Sequence, residues 1–125
     1  MVKSIISMVV VAVILAVGAY FESTFVSRQF DELNLVFNVL YEKVEDESAK
    51  ESDVYAAQDN WLNKKKYLHA FIPHNEIKEI DLWLGETVTL VDKKEWTDAL
   101  SKVEVLIELT EQIPKTFALS LENVL

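Results

Sequence analysis

Residues 5–21 read IISMVVVAVILAVGAYF and carry no charge, with Lys3 before them and Glu22 after them. A bilayer hydrocarbon core of about 30 Å is crossed by roughly 17–25 apolar residues in a helix. The run meets the lower limit, and the turn beyond Glu22 (Ser23, Thr24, Phe25, Val26) extends it at modest cost. Its Val and Ile are mediocre helix formers in water. In lipid that matters less, because the backbone must satisfy its own hydrogen bonds. Tyr20 and Phe21 fall where an aromatic interface belt lies.

After the run, the apolar positions adopt a helical period. Val26, Phe30, Leu33, Phe37, Leu40 and Val44 repeat at alternating spacings of four and three, a heptad-type stripe widened by Leu35, Val36 and Tyr41. Nothing between Phe21 and Val26 breaks a helix, so the span and the first body helix are predicted to form one rod. Residues 45–52 are charged and without period, and read as a loop. A second helix is predicted from about Asp53, as N-cap, to about Phe71. Val54, Ala57, Trp61, Leu62, Leu68 and Phe71 or Ile72 form its inner face, flanked by Tyr55 and Tyr67. Pro73 bars a helix interior, and Asn75 is a suitable N-cap for the next helix.

The third helix is predicted over residues 76–91. Ile77, Ile80, Leu84, Val88 and Val91 line it, and Leu82, Trp83 and Leu90 make it apolar enough for a central position. Gly85 would let a neighbour approach closely. Residues 92–95 form the next turn, with Asp92 as cap. The fourth helix, residues 95–112, carries Trp96, Ala99, Leu100, Val103, Leu106, Ile107 and Thr110 on one face, and Ile113-Pro114 is expected to end it. Residues 120–125 are expected to form a short capped turn docking Leu121, Val124 and Leu125. Trp61 with Leu68 and Trp96 with Val103 make a faint internal echo, each followed by Ile-Pro.

Composition narrows the fold class. Two glycines and two prolines in 125 residues are too few for hairpins and barrels. The chain therefore reads as all-α: an N-terminal transmembrane helix continuing into an antiparallel bundle of about four helices. Residues 1–21 are the anchor, and residues 22–125 one small domain with one core. The absence of cysteine excludes disulfides, zinc–thiolate sites, thiol catalysis and acylation of a lipoprotein cysteine. All 21 acidic residues and 11 of the 12 basic ones follow residue 21, which leaves the body at −10. That balance argues against nucleic acid, whose binding rests on phosphate neutralisation, and against adhesion to anionic lipid. Lys64-Lys65-Lys66 reads as a solvated helix face.

Two fates compete for the N-terminal run. A cleaved signal peptide would use Lys3 as its positive region, residues 5–15 as its apolar region, and Ala16-Val17-Gly18 or Val17-Gly18-Ala19 as the cleavage site. That fate releases a secreted domain. The uncleaved anchor is preferred, because apolar residues continue through Tyr20 and Phe21, and lipid then contacts residues 5–21. Lys3 precedes the run, while Glu22, Asp31 and Glu32 follow it alongside Arg28. The positive-inside tendency thus places the short N-terminal segment in the cytoplasm and the body outside the cell membrane.

The chemistry-bearing residues form no catalytic pattern. Glycine-rich phosphate loops and serine-nucleophile elbows are missing. Glu104 and Glu108 sit one turn apart, but in so acidic a chain such pairs read as solvated charge. His69 and His74 are the only histidines. His74, Glu76 and Asp81 are the candidate ligands for a cation, against a turn-capping role for His74. Trp61, Trp83 and Trp96 read as core anchors, with Trp83 the candidate partner contact.

Two segments carry a resemblance. Residues 72–81 (IPHNEIKEID) contain His-x-Glu-Ile-x-x-Ile-Asp, and residues 113–125 (IPKTFALSLENVL) contain Ile-Pro followed by Leu-Ser-Leu-x-Asn and two hydrophobic residues. With the Trp of the second body helix and the N-terminal span, they resemble a family of small, membrane-anchored helical proteins of spore-forming Gram-positive bacteria, known only as a domain of unknown function. The similarity covers nearly the whole chain and implies no activity. The expected function is a non-enzymatic, membrane-tethered interaction or accessory module without a cofactor. It would bind a protein partner or self-associate through helical surfaces. The alternative is an extracytoplasmic sensor for a cation or small ligand.

Overall fold

The uninterrupted helix-forming sequence from Val2 to Glu45 does form a single rod. In the computed structural model, which describes residues 1–124, α1 spans Val2–Glu45. At 1.5 Å per residue it is about 66 Å long. Three further helices follow: α2 (Glu51–Leu68), α3 (His74–Asp92) and α4 (Trp96–Val124). The described residues contain no strand. The chain runs up α1, down α2, up α3 and down α4. α4 packs most extensively, on α1 and α3, while α2 closes the ring against the same two helices. The fold is an all-α, up-and-down bundle whose first helix projects beyond it.

The heptad stripe of α1 is the spine of the core. Val26, Phe30, Leu33, Phe37, Leu40 and Val44 are all buried, alongside Val54, Ala57, Trp61 and Leu68 of α2. α3 contributes Ile77, Ile80, Leu84 and Val91, and α4 contributes Ala99, Val103, Leu106 and Ile113. Leu62, expected inside, is exposed, because it lies about 100° around the helix from Trp61. Val88 is only half-buried, and Thr87 takes the core position beside it. The buried hydroxyls of Thr87 and Thr110 donate to the carbonyls of Trp83 (2.7 Å) and Ile107 (2.6 Å). Each thereby avoids the cost of an unpaired polar group.

Both turns at the end far from the apolar run use the same device. Glu47 and Lys94 adopt positive φ, 56° and 58°. After α1, Ser48 N–H donates to the Lys43 carbonyl and Glu47 N–H to that of Val44; after α3, Glu95 N–H donates to Leu90 and Lys94 N–H to Val91. These pairs are Schellman closures, which ordinarily place glycine at the left-handed position. Asp92 is thus the last residue of α3, not a cap for the next helix.

The caps expected at Asp53 and Asn75 lie elsewhere. α2 begins after Lys50, and Asp53 is its third residue: its Oδ2 accepts Lys50 N–H at 2.8 Å, while its own N–H donates to the Lys50 carbonyl. This is the return half of a capping box, which a carboxylate at that position serves. α3 begins at His74, with Pro73 at the N-cap position. The Pro73 carbonyl accepts the N–H of Glu76 at 3.1 Å.

The largest departure is Pro114. It does not end the fourth helix, which continues to Val124. Proline within a helix removes one hydrogen bond and costs about 3 kcal/mol or more. Packing on both sides offsets this: Ile113 is buried, and Phe117 stacks edge-on against Phe71 with ring centroids 6.3 Å apart. In place of the separate docked turn expected over residues 120–125, α4 continues to Val124, with Leu121 half-buried; the side chain of Val124 and the whole of Leu125 lie outside what the structure describes. The internal echo dissolves for the same reason, since Pro73 opens a helix and Pro114 sits inside one. Gly85 makes no close contact either: a Cβ built there meets nothing within 4 Å.

Candidate functional site

The turn carrying the candidate ligands lies at the end of the bundle nearest the apolar run. His74 is the exposed first residue of α3. Glu76 is half-buried, and its carboxyl is pushed above the usual range by burial and then by the charge of Glu79. Asp81 lies almost two turns further along α3 and points across to α2. Trp61 Nε1–H donates to its Oδ1 at 2.7 Å, and Lys65 Nζ donates to its Oδ2 at 2.7 Å. Both carboxylate oxygens of Asp81 thus serve the α2–α3 contact. His69, at the end of α2, has Nδ1 3.2 Å from the Lys65 carbonyl. Among the described residues, no three His, Cys, Asp or Glu side chains are grouped to hold a metal ion.

Trp83 is half-buried against the core, and Lys102 of α4 places its ammonium 4.5 Å from the ring centroid. Lys102 is itself 3.5 Å from Glu86. The partner-contact candidate is thus engaged between α3 and α4. On α3 it is Leu82, 57 % exposed, that faces outward.

Polar contacts missed by the sequence reading tie α1 to its neighbours. Lys64, from the basic triplet, reaches Glu32 (2.6 Å) and Gln29 (3.3 Å), and its hydrogen bond and then its positive charge hold the Glu32 carboxyl below the usual range. Lys43 likewise pairs with Asp53 at 2.8 Å and lowers it. Asn34 Nδ2 donates to Thr110 Oγ1 at 2.8 Å across the α1–α4 seam. Tyr41 donates to Glu104 at 3.3 Å, and its phenol is pushed up by burial and by that carboxylate. Near the α3–α4 turn, the neighbouring Asp92 carboxyl raises the Glu51 carboxyl above the usual range. The sequence offered one signal here, the i, i+4 spacing of Trp61 and Lys65. Which α3 residue meets them is decided by helix packing.

Three surface depressions accompany these contacts. A cleft of about 420 Å³ follows the α1–α4 seam, past Ser27, Asp31, Asn34, Thr110 and Pro114. It is succeeded toward the apolar run by one of about 430 Å³ between Ala16, Ala19, Tyr20 and Ser23 of α1 and Ala118, Leu121 and Glu122 of α4. A groove of about 300 Å³ between α1 and α2 holds Val36, Val39, Ala56 and Asn60. Asn60 Oδ1 is buried without a hydrogen-bond partner among the described residues.

Among the described residues one helix, α1, is long and apolar enough to cross a membrane, and none of its most apolar 18-residue window is buried. Fold and surface together define a small helical bundle carried on a long, partly apolar first helix. The chain belongs to the family described as Domain of unknown function (DUF4363), whose model matches residues 20–124. Neither the curated proteins nor the solved structures yield a match.

Proposed function

We propose that this protein is a non-enzymatic interaction module held at the cell membrane by the first half of α1. The observation that carries the reading is the contrast within that single helix. From Val26 onward its heptad positions, Val26, Phe30, Leu33, Phe37, Leu40 and Val44, are buried in the bundle. Before Phe25, all its large apolar side chains are exposed, and they surround the helix on every side. A helix apolar all round needs an apolar environment, and lipid supplies one. Lys3 on one side and the acidic body on the other orient the bundle toward the extracytoplasmic side. Tethering raises the module's effective concentration for neighbours in the same membrane. The surfaces available to a partner are the exposed flanks, Leu35 and Val39 on α1 and Leu82 on α3.

Membrane fractionation tests the tether. The full chain should remain in the membrane pellet under alkaline carbonate and keep the residues before Tyr20 on N-terminal sequencing. Protease added from outside should digest the body. A mature protein starting at residue 19 or 20 would overturn the anchor and establish secretion. Crosslinking in intact membranes tests the interaction role. Adducts linking the body to a neighbour or to a second copy support it; persistent monomer under conditions that crosslink other membrane complexes sinks it.

A further inference from the structure

The down-running α4 does not stop where the bundle does. Ala118, Leu121 and Glu122 share a cleft with Ala16, Ala19, Tyr20 and Ser23 of α1. Residues 16–21 belong to the apolar run, so α4 overlaps the outer end of that run by about one and a half turns, some 8 Å at 1.5 Å per residue. If α4 stood wholly in water, only residues 5–15 would remain to cross the bilayer. As a helix they span roughly 16 Å, about half of a hydrocarbon core near 30 Å thick. Hydrophobic mismatch that large is not absorbed by tilt, which only shortens the crossing further.

We infer that the last two turns of α4, residues 117–124, are seated in the outer headgroup layer of the same bilayer, with Leu119 against its hydrocarbon border. This rests on the anchor reading and adds to it a second membrane contact, made by the far end of the chain's helical body. The side chains suit such a boundary. Leu119 is 60 % exposed, while Phe117, Ala118 and Leu121 beside it are half-buried. Ser120, Glu122 and Asn123 are exposed beside it, and polar side chains of this kind find partners among headgroups and interfacial water.

Aromatic rings continue the boundary around the lower end of the bundle. Tyr20 and Phe21 protrude from α1; Phe25, Phe71 and Phe117 form a chain with ring centroids 6.1 and 6.3 Å apart, and Tyr67 is exposed on α2. Aromatic rings gathered at the membrane-facing end of a domain suit a water–lipid interface. The attraction is apolar and not electrostatic, since the body is acidic. The bundle is then fixed upright on the membrane through two helices, with no flexible stalk, and the Schellman turns at Glu47 and Lys94 point away from the lipid.

The chain contains no cysteine, so single cysteines report position directly. Val10→Cys, Leu119→Cys and Tyr55→Cys, each labelled with an environment-sensitive fluorophore, are placed in the full chain in phosphatidylcholine–phosphatidylglycerol vesicles. Quenching by shallow nitroxide lipids is compared with quenching by aqueous iodide. The Leu119 label should be quenched several-fold more by the lipid nitroxide than the Tyr55 label, which iodide alone should reach. A Leu119 label behaving like that at Tyr55, with the Val10 label still lipid-quenched, overturns the seating of α4 and leaves the anchor standing. Protection of the Leu119 label from both quenchers indicates cover by protein and overturns it equally. An iodide-quenched Val10 label removes the anchor and the inference together.

Discussion

Trp61 and Asp81 are joined across the α2–α3 interface by a 2.7 Å hydrogen bond from the indole Nε1–H to Oδ1. Trp61 is fully buried, while Asp81 stays partly exposed and takes Lys65 on its second oxygen. The carboxylate lets a large ring with one polar atom enter the core without an unpaired donor. Asp81→Ala leaves that donor unmet and should cost about 1–3 kcal/mol. Asp81→Asn keeps an acceptor for the indole and should lose less. Urea unfolding of the full chain in detergent micelles, followed by tryptophan fluorescence, checks both. Equal losses for the two variants would remove the hydrogen bond from the account.

Two backbone positions carry residues that their surroundings do not require. Gly85 lies inside α3 with open space where a Cβ would stand. Gly85→Ala should therefore stabilise by about 0.5–1 kcal/mol through helix propensity alone. Lys94 holds φ 58° at the close of α3, where left-handed backbone costs a side-chain-bearing residue about 1–2 kcal/mol. Lys94→Gly should stabilise by about 1 kcal/mol. Both should raise the Tm without altering helix content by circular dichroism.

Two carboxylates of the body, Asp53 and Glu51, have opposite pH behaviour. Lys43 holds Asp53 below the usual range. Its contribution is present above the unfolded aspartate value and is lost as pH falls through the lower folded one. Glu51 is raised by the neighbouring Asp92 carboxyl. The folded state then binds that proton more readily, so stability rises as pH falls from neutrality through the raised Glu51 value. Glu51→Gln should abolish this gain and be more stable than the parent at pH 7. Lys43→Met should be less stable at pH 7 and converge with the parent under acid. A Tm series from pH 7 to pH 3 separates the two.

Trp83 and Lys102 form a cation–π pair at 4.5 Å between α3 and α4. Such a pair at a partly exposed position is worth about 0.5–1 kcal/mol. Lys102→Ala should uncover the ring, increase quenching of its fluorescence by acrylamide and lower stability by about that amount. Trp61→Phe and Trp96→Phe in the same background leave Trp83 as the sole reporter.

The sequence by itself determined the elements and the spine. The heptad stripe of α1 is legible because a helix facing one core repeats its apolar positions every three or four residues. Scarce glycine and proline left little alternative to helices joined by short turns. The long apolar run was legible for a simpler reason, since it is uncharged over its whole length. Tertiary structure decided what local rules cannot. Pro114 obeys its own propensity only if nothing around it objects, and the burial of Ile113 and the stacking of Phe117 on Phe71 carry the helix through it. Asp81 reads in the sequence as a free acid beside His74 and Glu76, and packing of α3 on α2 turns it toward Trp61 and Lys65 instead. Trp83 likewise acquires its cover from α4, 19 residues further along the chain at Lys102. These outcomes depend on which faces of distant helices meet, a relation between residues that no local pattern records.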